Sequence, residues 1–593
     1  MSPADSLAWL PSSALPPLPV ALPLLVGALT LALSGRMRGP LPDILATLTA
    51  LLCSGLSGLI ALRAAEAGPL VYWFGGWAPR AGQAVGIGFQ VDAASAWIAA
   101  FIGLLYAAAF VFAWGYFAEV HGHFQVLMLL FLAAMTGFCF TRDLFNLFVW
   151  FEVMSVAAFA LTAYRLESSA LSGALNFTVT NSLAGFLMLG GIGLIYARAG
   201  TLDFEGLRMA VAAHPRDALV AAAFCLIATA LMIKAAMVPF QFWLADAHAV
   251  APSPVSVIFS GAMVSLGLFG LAKLVWVVFS ASDRIAGTVS EAMVWLGGVT
   301  ALLGGVMAFK QRHLKRLLAF STISHAGIMM LGIGALSQAG LGGFLVYLVG
   351  HGLVKGALFM VAGILLATRA SIDEIGLRGL GRGLGPTGAA MALGGLLLAG
   401  LPLGLLDHGT HLLQGALARD GHGVALAASL VGCGLTGAAV LRAAGRIFLG
   451  WGAVAGDEER APSEAEREKA DRPLWLMLSP CLFLLAVALA VPAGPVERLA
   501  RDAVPAFAHA GGATVTAAEA APWLPWLSVV LALVVAGYDL SRAHLPAGLT
   551  GGLRRTASLP NRILEAAHSG LVGDYVTWLA LGLALIAARL MLA

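Results

Sequence analysis

Leu144 to Tyr164 reads LFNLFVWFEVMSVAAFALTAY, an apolar run long enough to cross a bilayer as a helix, with one carboxylate, Glu152, set in its middle. An ionised side chain at the centre of a spanning helix costs about 2.5 to 3.5 kcal/mol. Such a group persists either as a structural carboxylate, paired or held protonated between helices, or as a working part of a proton path. The second reading needs basic groups at similar depth, and the rest of the chain supplies them.

Composition sets the class. Of 593 residues 60% are hydrophobic and 11% charged, and the mean hydropathy is +0.90. Soluble domains carry about 25% charged residues, so this is an all-α, polytopic membrane protein. The net charge of +3 is spread along the loops and gives no reason to expect a nucleic-acid partner. Cys53, Cys139, Cys225, Cys433 and Cys481 stand singly in apolar runs, without the spacing of iron–sulfur or zinc sites. No dinucleotide fingerprint follows a strand pattern. No cofactor or metal is therefore expected, and any redox chemistry would belong to another subunit. The N-terminal MSPADSLAWLPSS has no basic residues or small-residue cleavage site before the first apolar run and does not resemble a cleaved signal.

Segments of spanning length fall near 15–35, 41–62, 92–117, 123–141, 144–164, 174–197, 217–243, 253–280, 289–309, 316–337, 341–368, 385–410, 423–450, 474–492, 523–540 and 571–592. With the N-terminus outside, twenty loop arginines and lysines fall inside and ten outside, the asymmetry expected of a cell inner membrane protein with a periplasmic N-terminus. The chain divides into N-terminal helices (1–120), a five-helix unit (121–280), a second (289–450), and a charged inside loop with a C-terminal membrane tail (451–593).

Lys234 lies in LMIKAAMVPFQFWLADAH, about 24 Å along its helix from Ala218 at about 1.5 Å per residue. Pro239 lacks an amide donor and clashes with the carbonyl one turn back, so the helix should break one turn past the lysine. The freed carbonyls then need water or polar side chains, which favours a wet pocket beside the ammonium. Snorkelling to the surface is the bland alternative. A second interruption falls at LLLAGLPLGLLDHGTHLL, around Gly400, Pro402 and Gly404. Breaks in corresponding places of two halves point to an internally repeated transporter. Because each unit has an odd number of helices, the second copy must be inverted.

In the second unit His325 lies in AFSTISHAGIMM, and His351 and Lys355 share one helix face in YLVGHGLVKGALFMVAG. A lone membrane histidine is usually a satisfied interhelix hydrogen bond, but this grouping points to relay chemistry. Lys273, about 20 residues into its own helix, reads equally as a relay group or a snorkelling end residue.

FVWFEVMSVAAFALTAY, IKAAMVPFQFWLADAHAVAPSPVS, LAFSTISHAGIMMLG and HGLVKGALFMVAG resemble, in order, motifs of the proton-conducting antiporter-like subunits of respiratory complex I, of Mrp cation/proton antiporters and of energy-converting hydrogenases. The resemblance covers roughly 90 to 450, and HSGLVGDYVTWLALG resembles the ends of hydrogenase-type and Mrp-type members. It implies a core of about fourteen helices with two inverted five-helix repeats and extra C-terminal helices. It also implies a coupled Glu152/Lys234 pair, and a central hydrophilic axis through His325, His351 and Lys355. Two positions depart from the family pattern. Ser265 stands where many members carry a lysine, with Lys273 two turns away. Thr410 stands where an exit lysine or glutamate is expected, flanked by Asp407, His408 and His411. Either those neighbours re-route the path or this half-channel is impaired.

A carboxylate about 5 Å from an ammonium, at an effective dielectric of about 20, contributes roughly 3 kcal/mol. Removing the charge of Glu152 would therefore loosen a proton on Lys234 and send it toward Lys355 and the histidines. The expected function is translocation of protons, with sodium as a further candidate cation, in a multi-subunit respiratory, hydrogenase or Mrp-type complex. The partners are other membrane subunits and the lipid bilayer. The alternatives are a proton-coupled membrane subunit of an inorganic-carbon uptake complex and a non-conducting scaffold.

Overall fold

The computed structural model describes residues 14–452 apart from 38, 81–83, 85, 118–121, 215–216 and 282, together with 473–492, 521–542 and, apart from 575 and 579, 573–584. Two helices, α1 (Leu18–Ala32) and α2 (Leu41–Ala67), come first, followed by a short antiparallel hairpin of Leu70–Trp73 and Gly88–Val91 that the all-α expectation did not contain. Then come α3 (Ala93–Tyr116), α4 (His123–Phe140), α5 (Leu144–Thr162), α6 (Ser168–Ala199), the short α7 (Phe204–Ala213), α8 (Ala218–Lys234) and α9 (Phe242–Val250). The long α10 (Ser253–Val278) holds two π-helical stretches. The second unit comprises α11 (Asp283–Lys310), α12 (Leu314–Gly334), α13 (Gln338–Arg369), α14 (Gly385–Leu398), α15 (Gly404–Arg419) and α16 (Gly423–Ala444). Two further helices, α17 (Trp475–Ala490) and α18 (Leu524–Ser541), follow. Eleven helices among the described residues are long and apolar enough to cross a membrane. Each expected segment from 15–35 to 523–540 coincides with a helix or a broken pair. The segment 571–592 and the charged loop around Asp457 to Arg472 lie largely or wholly outside the described residues.

From the end of their first helix to the joint after their third, the two units share one plan at a constant spacing of 170 residues. α6 starts at Ser168 and ends at Ala199, while α13 starts at Gln338 and ends at Arg369. Leu166 and Leu336, each two residues before those helices, both have positive φ, and so do the residues that end them, Gly200 and Ala370. At the far end of each helix pair the chain is tied by the same joint. Leu144 N–H donates to Leu202 O and Phe204 N–H to Arg142 O; Leu314 N–H donates to Ile372 O and Glu374 N–H to Arg312 O. Arg142 bridges to Asp203 at 2.6 Å, and Arg312 to Asp373 at 3.3 Å.

Both units also break their fourth helix in the same way. At the end of α8, Ala236 takes a left-handed φ of 51°, with Met237 N–H on Met232 O and Ala236 N–H on Ile233 O. At the end of α14, Gly400 has φ 93°, with Leu401 N–H on Leu396 O and Gly400 N–H on Leu397 O. Both are Schellman stops, each of which satisfies two of the carbonyls at the helix end. The helix therefore ends at Lys234 itself, sooner than one turn beyond it, because the reversal at Ala236 precedes Pro239.

The C-terminal helices α17 and α18 pack on the core. Cys481 Sγ on α17 reaches Ala357 O of α13 at 3.5 Å. Val529, Ala532 and Ala536 of α18 form a buried cluster with Ala399 and Ala438, and Asp539 is ion-paired to Arg446. In 573–584, Trp578 lies on Phe242 at the broken helix.

Candidate functional site

The break puts the end of α8 inside the bundle. Lys234 is fully buried, and its ammonium donates to Ser155 Oγ at 2.5 Å and sits 4.3 Å from the centre of the Phe151 ring. Ser155 in turn donates to Phe151 O. Part of the polar cover for the broken helix comes from Trp243, whose indole N–H donates to Ile233 O at 2.9 Å, and from Thr300, which accepts from Val238 N–H. Trp243 is thus one of the polar side chains that the freed carbonyls were expected to need.

Glu152 lies three residues before Ser155 and so on the same face of α5. It is half-buried, and its carboxylate rests over Gly185 of α6, with Oε1 lacking a hydrogen-bond partner. Among the described residues Glu152 makes no ion pair with Lys234. The two interact electrostatically at longer range, and Ser155 holds the ammonium in the meantime.

The second cluster is built on α12 and α13. Lys355 is fully buried and donates to Ser321 Oγ at 2.6 Å and to Leu318 O at 2.9 Å. His325 bonds Tyr347 Oη at 2.6 Å and Thr436 Oγ1 at 3.0 Å. The His351 ring stands 5.2 Å from that of His325, and neither of its nitrogens has a partner. Tyr347, His351 and Lys355 thus form a stripe at four-residue spacing down α13.

His248 on α9 was missed by the sequence reading. It is fully buried, stacked on Phe359 at 4.6 Å, with both ring nitrogens unpartnered, and it interacts electrostatically with Lys355 and Lys315. Its signal was its place in the apolar stretch after Pro239, where the break had already argued for a polar pocket. Between the clusters Ser260 and Thr322 share a hydrogen bond of 2.6 Å, joining α10 to α12.

The remaining predicted residues lie apart. Lys273 donates to Cys139 O at 2.5 Å and Thr141 O at 3.2 Å, capping the end of α4. Ser265 is buried with an unpartnered hydroxyl, and Thr410 donates to Leu406 O. Asp407, His408 and His411 are half-buried, whereas Thr410 is buried, and its neighbour Gly409 packs on the Tyr347 backbone.

The arrangement is a set of titratable groups inside the bundle, with a hydroxyl on each of Lys234 and Lys355 and a hydroxyl pair, Ser260 and Thr322, between the clusters. The profile of the family described as NADH:quinone oxidoreductase/Mrp antiporter, TM, matches residues 141–436, which hold Glu152, Lys234 and the α12–α13 cluster. The chain is 32% identical over 355 residues to NADH-quinone oxidoreductase subunit N of Desulforudis audaxviator (strain MP104C), covering 59% of this chain and 69% of that protein. It is 30% identical over 335 residues to hydrogenase-4 component B of Escherichia coli (strain K12), covering 53% of this chain and 48% of that one. A chain in the structure of the Mrp complex from Dietzia sp. DQ12-45-1b superposes with a TM-score of 0.72 at 25% identity, over 88% of this chain and 99% of that one.

Proposed function

The chain belongs to the NADH:quinone oxidoreductase/Mrp antiporter transmembrane family, and on that footing we propose that it translocates protons as an antiporter-like subunit of a multi-subunit membrane complex. The observation that carries the reading is Lys234, buried at a helix break and held by Ser155 one turn from Glu152. Displacing or neutralising the Glu152 charge changes the proton affinity of Lys234, because Coulomb coupling between them is weakly screened at that depth. The proton leaves by way of the α10 hydroxyls to His248, Lys355, His351 and His325. Coupling of this kind is reciprocal, so an ion gradient equally biases the partner reaction.

On this reading 121–280 and 289–450 are inverted copies, which the constant spacing of 170 residues and the matching joints and breaks support. The placement is the cell inner membrane with a periplasmic N-terminus. Glu152, Lys234 and Lys355 carry the relay with His325 and His351. Asp407, His408 and His411 serve the exit, in place of Thr410. Lys273 is assigned to holding α4.

The test is proton transport in everted vesicles containing the intact complex, comparing wild type with Glu152→Gln and Lys234→Ala. Both variants should assemble normally and lose ion-coupled transport. Normal transport in both would end the proposal.

A further inference from the structure

Glu152 and Lys234 are coupled without touching, so something must hold the carboxylate back. The helix facing Glu152 provides the means. A methyl group built on Gly185 would stand 2.2 Å from Glu152 Oε1, 3.0 Å from Cδ and 3.5 Å from Oε2, with nothing else among its nearest neighbours. The carboxylate fills the space that the missing side chain leaves.

The second unit uses the same level differently. At the spacing of 170 residues, Gly185 corresponds to Lys355, Glu152 to Thr322 and Phe151 to Ser321. There the amine comes from the third helix and is received by Ser321 on the second. In the first unit the acid comes from the second helix and the third has no side chain. Each helix pair holds one charged side chain at this depth, and the opposite position is small or uncharged.

We propose that Gly185 is a positioning residue: it keeps open the niche in which the Glu152 carboxylate rests away from Lys234, so that the pair is held apart until coupling draws it together. The proposal rests on Glu152 and Lys234 being the coupled pair. Coulomb attraction rises as separation falls, so a carboxylate evicted from the niche toward Lys234 would hold the proton on the ammonium and stall the relay.

Gly185→Ala tests this cleanly. The only atoms in the way of the new methyl are at the free end of a flexible side chain, and alanine favours the helix. Gly191, one and a half turns on, is a contrast: a methyl there would meet the backbone carbonyl of Ala223 at 2.9 Å. In the intact complex Gly185→Ala should reach wild-type membrane levels and lose most transport. Glu152→Asp ends one methylene short of the niche, so Glu152→Asp/Gly185→Ala should transport as Glu152→Asp does, and better than Gly185→Ala. Wild-type transport in Gly185→Ala overturns the proposal, as does failure of that variant to assemble or a double variant no better than it. Normal transport in Glu152→Gln would remove the coupled-pair reading instead, so the two failures are told apart.

Discussion

The ammonium of Lys234 is bound to the hydroxyl of Ser155 at 2.5 Å and not to the carboxylate of Glu152. Serine is the hinge of the site, since it lies one helical turn from the acid and receives the cation while the acid rests on Gly185. A hydrogen bond to a charged group contributes about 1.5 to 3 kcal/mol. Ser155→Ala therefore leaves a buried ammonium without its main acceptor and should lower initial rates of proton uptake by about tenfold or more. Ser155→Thr, which keeps a hydroxyl, should transport far better than the alanine variant. Equal rates in the two variants would mean that the hydroxyl plays no part.

Lys273 separates structure from transport. Its ammonium lies on two carbonyls at the end of α4, where a cation is favoured by the unpaired carbonyls and the helix dipole. Lys273→Met should lower thermal stability of the purified complex by about 1 to 3 kcal/mol and leave the transport rate per assembled complex near wild type. A rate collapse at unchanged stability would return Lys273 to the relay.

Spans, both breaks, Glu152, Lys234 and the His351/Lys355 face were legible because burying a charge or breaking a helix inside an apolar run is costly wherever it falls. Ser155 was hidden because a serine in a helix is cheap at any depth, and only its partner gives it meaning. The repeat was legible from its two breaks, and its polar joints carry it too, since Arg142 and Asp203, and Arg312 and Asp373, recur at equal spacing. The apolar stretches carry little of it, since lipid depth accepts many apolar residues at each position. The separation of Glu152 from Lys234 depends on a side chain that is absent, and no residue pattern announces a niche. The close packing of α18 escaped because Asp539 and Arg446 are far apart in sequence and meet only across the folded bundle.

Asp143, just outside α5, gives a pH signature. Its carboxylate accepts from Asn146 N–H at 2.6 Å, yet burial first, and Asp203 besides, push it up from 3.8 to about 6. A carboxyl whose folded value is raised keeps its proton where the unfolded chain has lost it. Its ionisation cost is thus absent below about 4, grows between about 4 and 6, and is fully present above. Asn caps a helix about as well as Asp and carries no charge. The stability of Asp143→Asn relative to wild type should therefore rise by about 1 to 3 kcal/mol from pH 4 to pH 7 and stay level beyond. Melting curves across that range would contradict this if the difference were flat.

Glu374 follows directly on the second joint, and its backbone N–H belongs to it. Its side chain is wholly buried, 3.0 Å from Arg442 and 2.5 Å from Arg446, and Arg446 continues to Asp539 of α18. Removing one member of a buried ion network leaves an uncompensated charge at a cost of about 3 to 5 kcal/mol. Glu374→Ala exposes two arginines to that cost. Asp539→Ala exposes one buried arginine, Arg446, which still keeps Glu374; the other partner of Asp539, Arg542, is solvent-exposed. Arg442 also donates to Phe309 O and Gln311 O, so part of its positive charge remains satisfied in either variant. The expected order of thermal stability is wild type, then Asp539→Ala, then Glu374→Ala, with α18 becoming open to protease in both. If Asp539→Ala were the more damaging, the network would be anchored from α18 inward, and Glu374 would be an accessory to that contact rather than its centre.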